Sequence, residues 1–145
     1  TGVINRIFHG YGKFEGEIDG RKNGALISMA TGKAVAFAIF NLQARGEMFV
    51  THNDPVYEGM IVGLAPKPGD MIINVMKGKQ LTNMRTQGTD ENVVLTPVRQ
   101  MSIAEQLSML NTDEALEITP KSLRLRKAIL NPNERKKNEK SVSPL

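Results

Sequence analysis

The sequence predicts an α+β fold that is mostly β: a small curved sheet or barrel with two or three short helices and one long basic loop. Three observations carry this. Short β-branched apolar runs recur between Gly- and Pro-rich turns. Helix signals are confined to brief stretches, among them Ser102–Ile–Ala–Glu105 and Asn131–Pro132. Between two apolar runs, residues 76–94 keep neither a helical nor a strand period.

Val3, Ile4, Ile7, Phe8 and Tyr11 suit a half-buried strand over residues 2–12, ending in glycines. Residues 15–24 form a polar connection. Residues 25–30 are a second strand, and Thr31, Gly32 and Lys33 a turn. Residues 34–42 alternate small and large side chains, and then place Phe37, Phe40 and Ala44 at helical spacing. This predicts a strand passing into a helix over 39–44, stopped by Gly46, with Phe37 and Phe40 in the core together with Ile61 and Leu125.

Met48, Phe49 and Val50 read as a strand. His52, Asn53, Asp54 and Pro55 make a turn in which Asn and Asp accept local backbone donors. Residues 56–64 return as a strand bent at Gly59 and Gly63, and residues 66–70 turn into a strand over 71–75. After the long loop, residues 93–95 resume the sheet until Pro97 breaks it. Ser102 and Glu105 form a capping box opening a helix over 103–110, with Ile103, Leu107 and Leu110 on one face. Residues 115–119 and 122–129 are strands; in the second, Leu123 and Leu125 alternate with Arg124 and Arg126, giving a buried face and a basic face. A sparsely apolar, frayed helix starts at Asn131 and Pro132.

With 145 residues the chain is one domain. It starts at Thr1 rather than Met, which reads as a piece of a longer protein. No apolar run approaches the roughly 20 residues that span a bilayer. The absence of cysteine excludes disulfides and thiolate metal sites and fits a reducing, cytoplasmic setting. His9 and His52 have no second ligand at metal spacing. Charge is unevenly distributed: residues 121–145 hold eight basic side chains against two acidic ones, whereas the first 120 hold eleven against thirteen. Such asymmetry points to a polyanionic partner, or to a solubilising tail over 131–145, basic and partly disordered.

The long loop is the sharpest candidate. Lys77, Lys79 and Arg85 supply cations, and Gln80, Thr82 and Asn83 supply neutral donors, between Gly78 and Gly88. That mixture suits phosphate oxygens, since cations neutralise charge and neutral donors fix geometry. Arg124, Arg126 and Lys127 extend the candidate set to the basic strand. The competing reading is a solvated loop and an ordinary solvent face. Nothing in the sequence matches a phosphate loop: Gly78–Lys79 has no Gly five residues before it, and Gln80 stands where Ser or Thr is required. Asp90 and Glu91 are neighbours in an extended stretch and face opposite ways. No catalytic constellation stands out.

Several stretches resemble the C-terminal domain of the TypA/BipA translational GTPases: Asn23–Gly–Ala–Leu–Ile–Ser, Gly32–Lys–Ala–Val–Ala–Phe–Ala, Val56–Tyr–Glu–Gly–Met–Ile–Val–Gly, Gly78–Lys–Gln–Leu–Thr–Asn–Met–Arg, Gly88–Thr–Asp–Glu and Thr119–Pro–Lys–Ser–Leu–Arg–Leu–Arg–Lys. The resemblance runs from Thr1 to about Arg135. It implies that residues 1–12 are the last strand of a preceding domain shared with the elongation factor EF-G, and that residues 13–130 are the family domain. It further implies a ribosome-binding role in ribosome assembly and stress adaptation, with the loop reaching the large subunit's A-site region, ribosomal RNA and the tRNA acceptor end. GTP and Mg²⁺ belong, by the same resemblance, to a GTPase domain outside this sequence. Lys77 stands where the family usually has a small or polar residue. The opposing expectation is a module that binds an acidic protein through the basic strand and tail.

Overall fold

The computed structural model describes residues 5–16, 20–78 and 94–142. A four-stranded sheet is the centre: β1 (Ala25–Ser28), β3 (Glu47–Met48), β5 (Ile61–Leu64) and β6 (Met71–Ile73), in the spatial order β3-β5-β1-β6. β1 runs antiparallel to β5 and parallel to β6. Two ribbons flank it: β2 (Gly32–Lys33) with β4 (Pro55–Val56), and the hairpin β7 (Glu114–Ile118) with β8 (Leu123–Lys127). The helices are α1 (Ala36–Gln43), α2 (Ile103–Ser108) and α3 (Pro132–Val142). The fold is thus α+β and mostly β, with three small sheets and no closed barrel among the described residues.

The run Ala25–Leu26–Ile27–Ser28 is buried throughout because both faces of the sheet are covered. One face, with Leu26, Val62 and Ile73, packs with Ile39 of α1. The other, with Ala25, Ile27 and Ile61, packs with Leu125 of the hairpin, and Leu110, Leu116 and Met101 close its margin. The order of layers is therefore helix, sheet, hairpin.

Gly59 makes the turn into β5 possible. Its φ of +87° lies in the left-handed region, and a Cβ there would come within 2.7 Å of the Leu130 backbone.

Several sequence expectations change. Residues 5–16 form no strand, and Ile7, Phe8, Tyr11 and Phe14 stand exposed. α1 begins three residues earlier than its spacing indicates, because the His52 imidazole Nδ1 accepts the Ala36 N–H at 3.2 Å and caps the first turn. Phe40 is half exposed and Phe37 only partly buried, and the helix buries Ala38 and Ile39 instead. Val94 and Leu95 do not rejoin the sheet. The capping box is present in full, with Ser102 and Glu105 bonding reciprocally. However, α2 buries Gln106 and leaves Ile103 and Leu107 half exposed. α3 is capped by the Asn131 side chain, which accepts the Asn133 N–H at 2.9 Å, and it buries nothing.

Candidate nucleic-acid interface

The loop is held by α1 at both of its ends. On the entering side, the Val35 N–H donates to the Val75 carbonyl at 2.9 Å. The Asn74 side chain then accepts the Met76 N–H at 2.9 Å, a local side-chain turn just before Lys77. On the returning side, the Gln43 carboxamide makes a reciprocal pair with the backbone of one residue. It accepts the Thr96 N–H at 3.0 Å and donates to the Thr96 carbonyl at 2.8 Å. Met76 and Leu95 complete the anchorage by packing on the core. A helix of eight residues spans about 12 Å, so α1 acts as a beam separating the two stems by a fixed distance.

Lys77 is exposed where the loop leaves this beam, and it shares a shallow depression with Phe37, Asn41, Arg45 and Asn74. Arg45 is exposed as well, so two cations and two amides border the loop's base. Sequence reasoning passed over Arg45 and Gln43, because their relation to the loop exists only once α1 is folded. Lys79, Gln80, Thr82, Asn83 and Arg85 lie outside the described residues.

On the hairpin, Arg124 and Arg126 share the outer face. Arg126 turns back on its own chain, donating to the Lys127 carbonyl at 3.3 Å. Arg124 stands across the ladder from Glu117, whose carboxylate accepts the Tyr57 hydroxyl. Burial, and next that bond to Glu117, push the Tyr57 hydroxyl pKa upward, so the phenol stays protonated. The arginines therefore border a partly neutralised surface, and the depression nearest them shares no residue with the one at the loop's base.

Lys127, expected beside Arg124 and Arg126 as an RNA contact, faces inward instead and is not available to a phosphate on the surface. Its side chain is 2% exposed and is surrounded by carboxylates of Asp70, Asp113 at 2.8 Å and Glu114 at 3.1 Å. Glu114 is also gripped by Arg21 through two bonds of 2.7 and 3.0 Å, and Arg21 donates further to the Met109 carbonyl. Asp70 in turn accepts the Ala25 N–H at 2.8 Å. Burial alone would lower the Lys127 pKa, but the three carboxylates outweigh it and hold it above the usual range. Burial likewise raises Asp70, and the bonds from Lys127 and Ala25 overcome that and hold it below the carboxylate range. This cluster ties the start of β1, the turn before β6 and the hairpin together. The signal was present in the alternation, since Lys127 falls in phase with Leu123 and Leu125 on the inward face.

Among the described residues no group of His, Cys, Asp or Glu is placed to hold a metal, and no helix is long and apolar enough to cross a membrane. The architecture of the described residues is that of an α+β domain. The chain belongs to the TypA/BipA C-terminal domain family, whose model matches residues 23–132. It is 52% identical over 138 residues to the large ribosomal subunit assembly factor BipA of Buchnera aphidicola from Schizaphis graminum, covering 94% of this chain and 23% of the relative. The protein of the same name from Buchnera aphidicola of Acyrthosiphon pisum is 46% identical over 146 residues, with 98% and 24% covered. That of Salmonella typhimurium is 46% identical over 138 residues, with 94% and 23% covered. The chain spans about a quarter of the length of these relatives.

Proposed function

We propose that this domain docks a ribosome assembly factor onto the large subunit by presenting the 76–94 loop to RNA. The observation that supports this best is α1, which fixes both stems of the loop and thereby limits the entropy lost when the loop is ordered on a partner. Lys77, Lys79 and Arg85 neutralise phosphates, and Gln80, Thr82 and Asn83 set geometry. The A-site region of ribosomal RNA and the tRNA acceptor end are the partners, in the cytoplasm. Arg45 joins Lys77 at the base. Arg126, outside the depression that Arg124 borders, forms a secondary, weaker contact. The names of the relatives, all large-subunit assembly factors, agree with this reading.

In this reading the domain is not itself catalytic. GTP and Mg²⁺ are bound and used by the portion of the full-length protein outside this chain. The domain's part is positional: it holds the factor in register on a surface of fixed phosphates.

The test is co-sedimentation of the full-length protein with large ribosomal subunits, with and without this domain. Loss of binding on its removal is expected, and retention of full binding at moderate salt contradicts the reading. Addition of bulk ribosomal RNA should displace the protein; binding that such RNA cannot displace favours a protein partner instead.

A further inference from the structure

A second surface is built differently from the loop. The β7–β8 ladder carries its hydrogen bonds at alternate pairs, as antiparallel ladders do. The Ala128 N–H donates to the Asp113 carbonyl and the Thr119 N–H to the Ser122 carbonyl, both at 2.9 Å, flanking the Ala115–Arg126 and Glu117–Arg124 pairs. By this alternation the peptide groups of Leu123, Leu125 and Lys127 face away from β7. Lys127 uses its N–H on the Gly59 carbonyl at 2.9 Å, where β8 touches the sheet through the Met60–Arg126 bridge. Further back along β8 the two edges part, because β3 takes over the flank of β5: the Phe49 N–H donates to the Val62 carbonyl at 2.8 Å. Among the described residues no backbone hydrogen bond reaches Leu123 on that outer edge.

The gap so formed is a cleft of about 420 Å³, and Phe49, Ile61, Met101, Leu123 and Leu125 line it. Its rim is cationic. Lys121 and Arg124 border it; among the described residues neither side chain makes a hydrogen bond or an ion pair within 4 Å, and Arg124 lies across the ladder from Glu117. Arg99, the third basic residue at the rim, is already neutralised by Glu105 at 3.1 Å and Glu47 at 3.8 Å.

We propose that this cleft accepts an extended acidic peptide segment of a protein partner, added edge-on to β8, with an aliphatic side chain on the floor and carboxylates on Lys121 and Arg124. A free strand edge offers alternating donors and acceptors to another peptide, and the pocket beside it selects the side chain. The two unpaired cations set the sign of the occupant's charge. The lining argues against single-stranded RNA: binding of bases relies on aromatic platforms, and Phe49 is the one aromatic residue among the residues that line the cleft. The inference is independent of the loop's role, since the cleft and the loop base share no residue.

The experiment titrates the ¹⁵N-labelled 145-residue chain with an acetylated peptide of about eight residues, alternating aspartate or glutamate with valine or leucine. Saturable shifts at the Leu123, Leu125 and Phe49 amides are expected, with slowed exchange of the Leu123 N–H. Reversing the rim with Lys121→Glu and Arg124→Glu, both outside the core, should weaken binding by about tenfold or more. The peptide N-methylated along its backbone should not bind. Replacing Lys79 and Arg85 with Ala should leave the peptide titration unchanged, which separates this site from the loop. The proposal is overturned if those amides do not shift, if the N-methylated peptide binds equally, if the loop variant weakens binding as much as the rim variant, or if oligouridylate occupies the cleft in preference to the peptide.

Discussion

Lys127 and Arg124 lie three residues apart on one strand, and the sequence gives both as candidate cations of a basic strand. Their surroundings separate them. Lys127 is buried with three carboxylates, so removing its charge leaves anions uncompensated in the interior. Lys127→Met should lower stability by about 3–5 kcal/mol, the range for breaking one side of a buried ion pair. Arg124→Met should stay within about 0.5 kcal/mol. Urea unfolding of the two variants makes the comparison. The pH dependence follows from the same cluster. Asp70 titrates below its unfolded value, so its contribution is present above the ordinary carboxylate pKa of about 3.9 and is lost as pH falls through the lowered folded value. Lys127 titrates above its unfolded value, so its contribution holds below about pH 10.4 and is lost as pH rises through the raised value. Urea midpoints should thus be level near neutrality and fall below about pH 4. In Lys127→Met that acid fall should be shallower, and an equal fall in both proteins would show that Asp70 is stabilised by something other than Lys127.

At the scale of elements, the legible features were those written in local chemistry. The Ser102–Glu105 capping box, the Asn131–Pro132 helix start, the turn at Asn53 and Asp54, and the strands β1, β5, β7 and β8 all depend on neighbours within a few residues. What the sequence left hidden depends on partners far along the chain. α1 starts early because His52 caps it, and Phe40 sits outside because β1 and β5 meet the Ile39 side of the helix. Ile39→Ala should therefore cost about 2–5 kcal/mol, whereas Phe40→Ala should cost less than about 1 kcal/mol, read from thermal or urea melts. The reverse order would mean that α1 is rotated. Gln43 carries no signal in the sequence, yet it holds the returning stem of the loop. Gln43→Ala removes two exposed hydrogen bonds and should lower stability by about 1 kcal/mol. Its larger effect should be faster hydrogen exchange at Thr96 together with weaker ribosome binding by the full-length protein. An unchanged Thr96 exchange rate would show that the stem is held by Leu95 alone.

For the whole molecule, the α+β, mostly β class and the cationic composition of residues 76–94 were legible, while the layer order and the support of that stretch by α1 were not. The resemblance gave the family, and the match over residues 23–132 places the chain there. The central claim is that Lys79 and Arg85 meet RNA phosphates from a loop whose stems α1 fixes. Each phosphate neutralised by a side chain releases condensed counterions, so affinity depends on salt in proportion to the number of phosphates engaged. The decisive measurement is ribosome binding by the full-length protein at several salt concentrations, comparing wild type with Lys79→Ala and Arg85→Ala combined, and using circular dichroism to verify the fold. The slope of log affinity against log salt should become shallower by about 1.4–1.8, at about 0.7–0.9 for each phosphate no longer neutralised. An unchanged slope and affinity would contradict the account and leave the loop as a solvated connection.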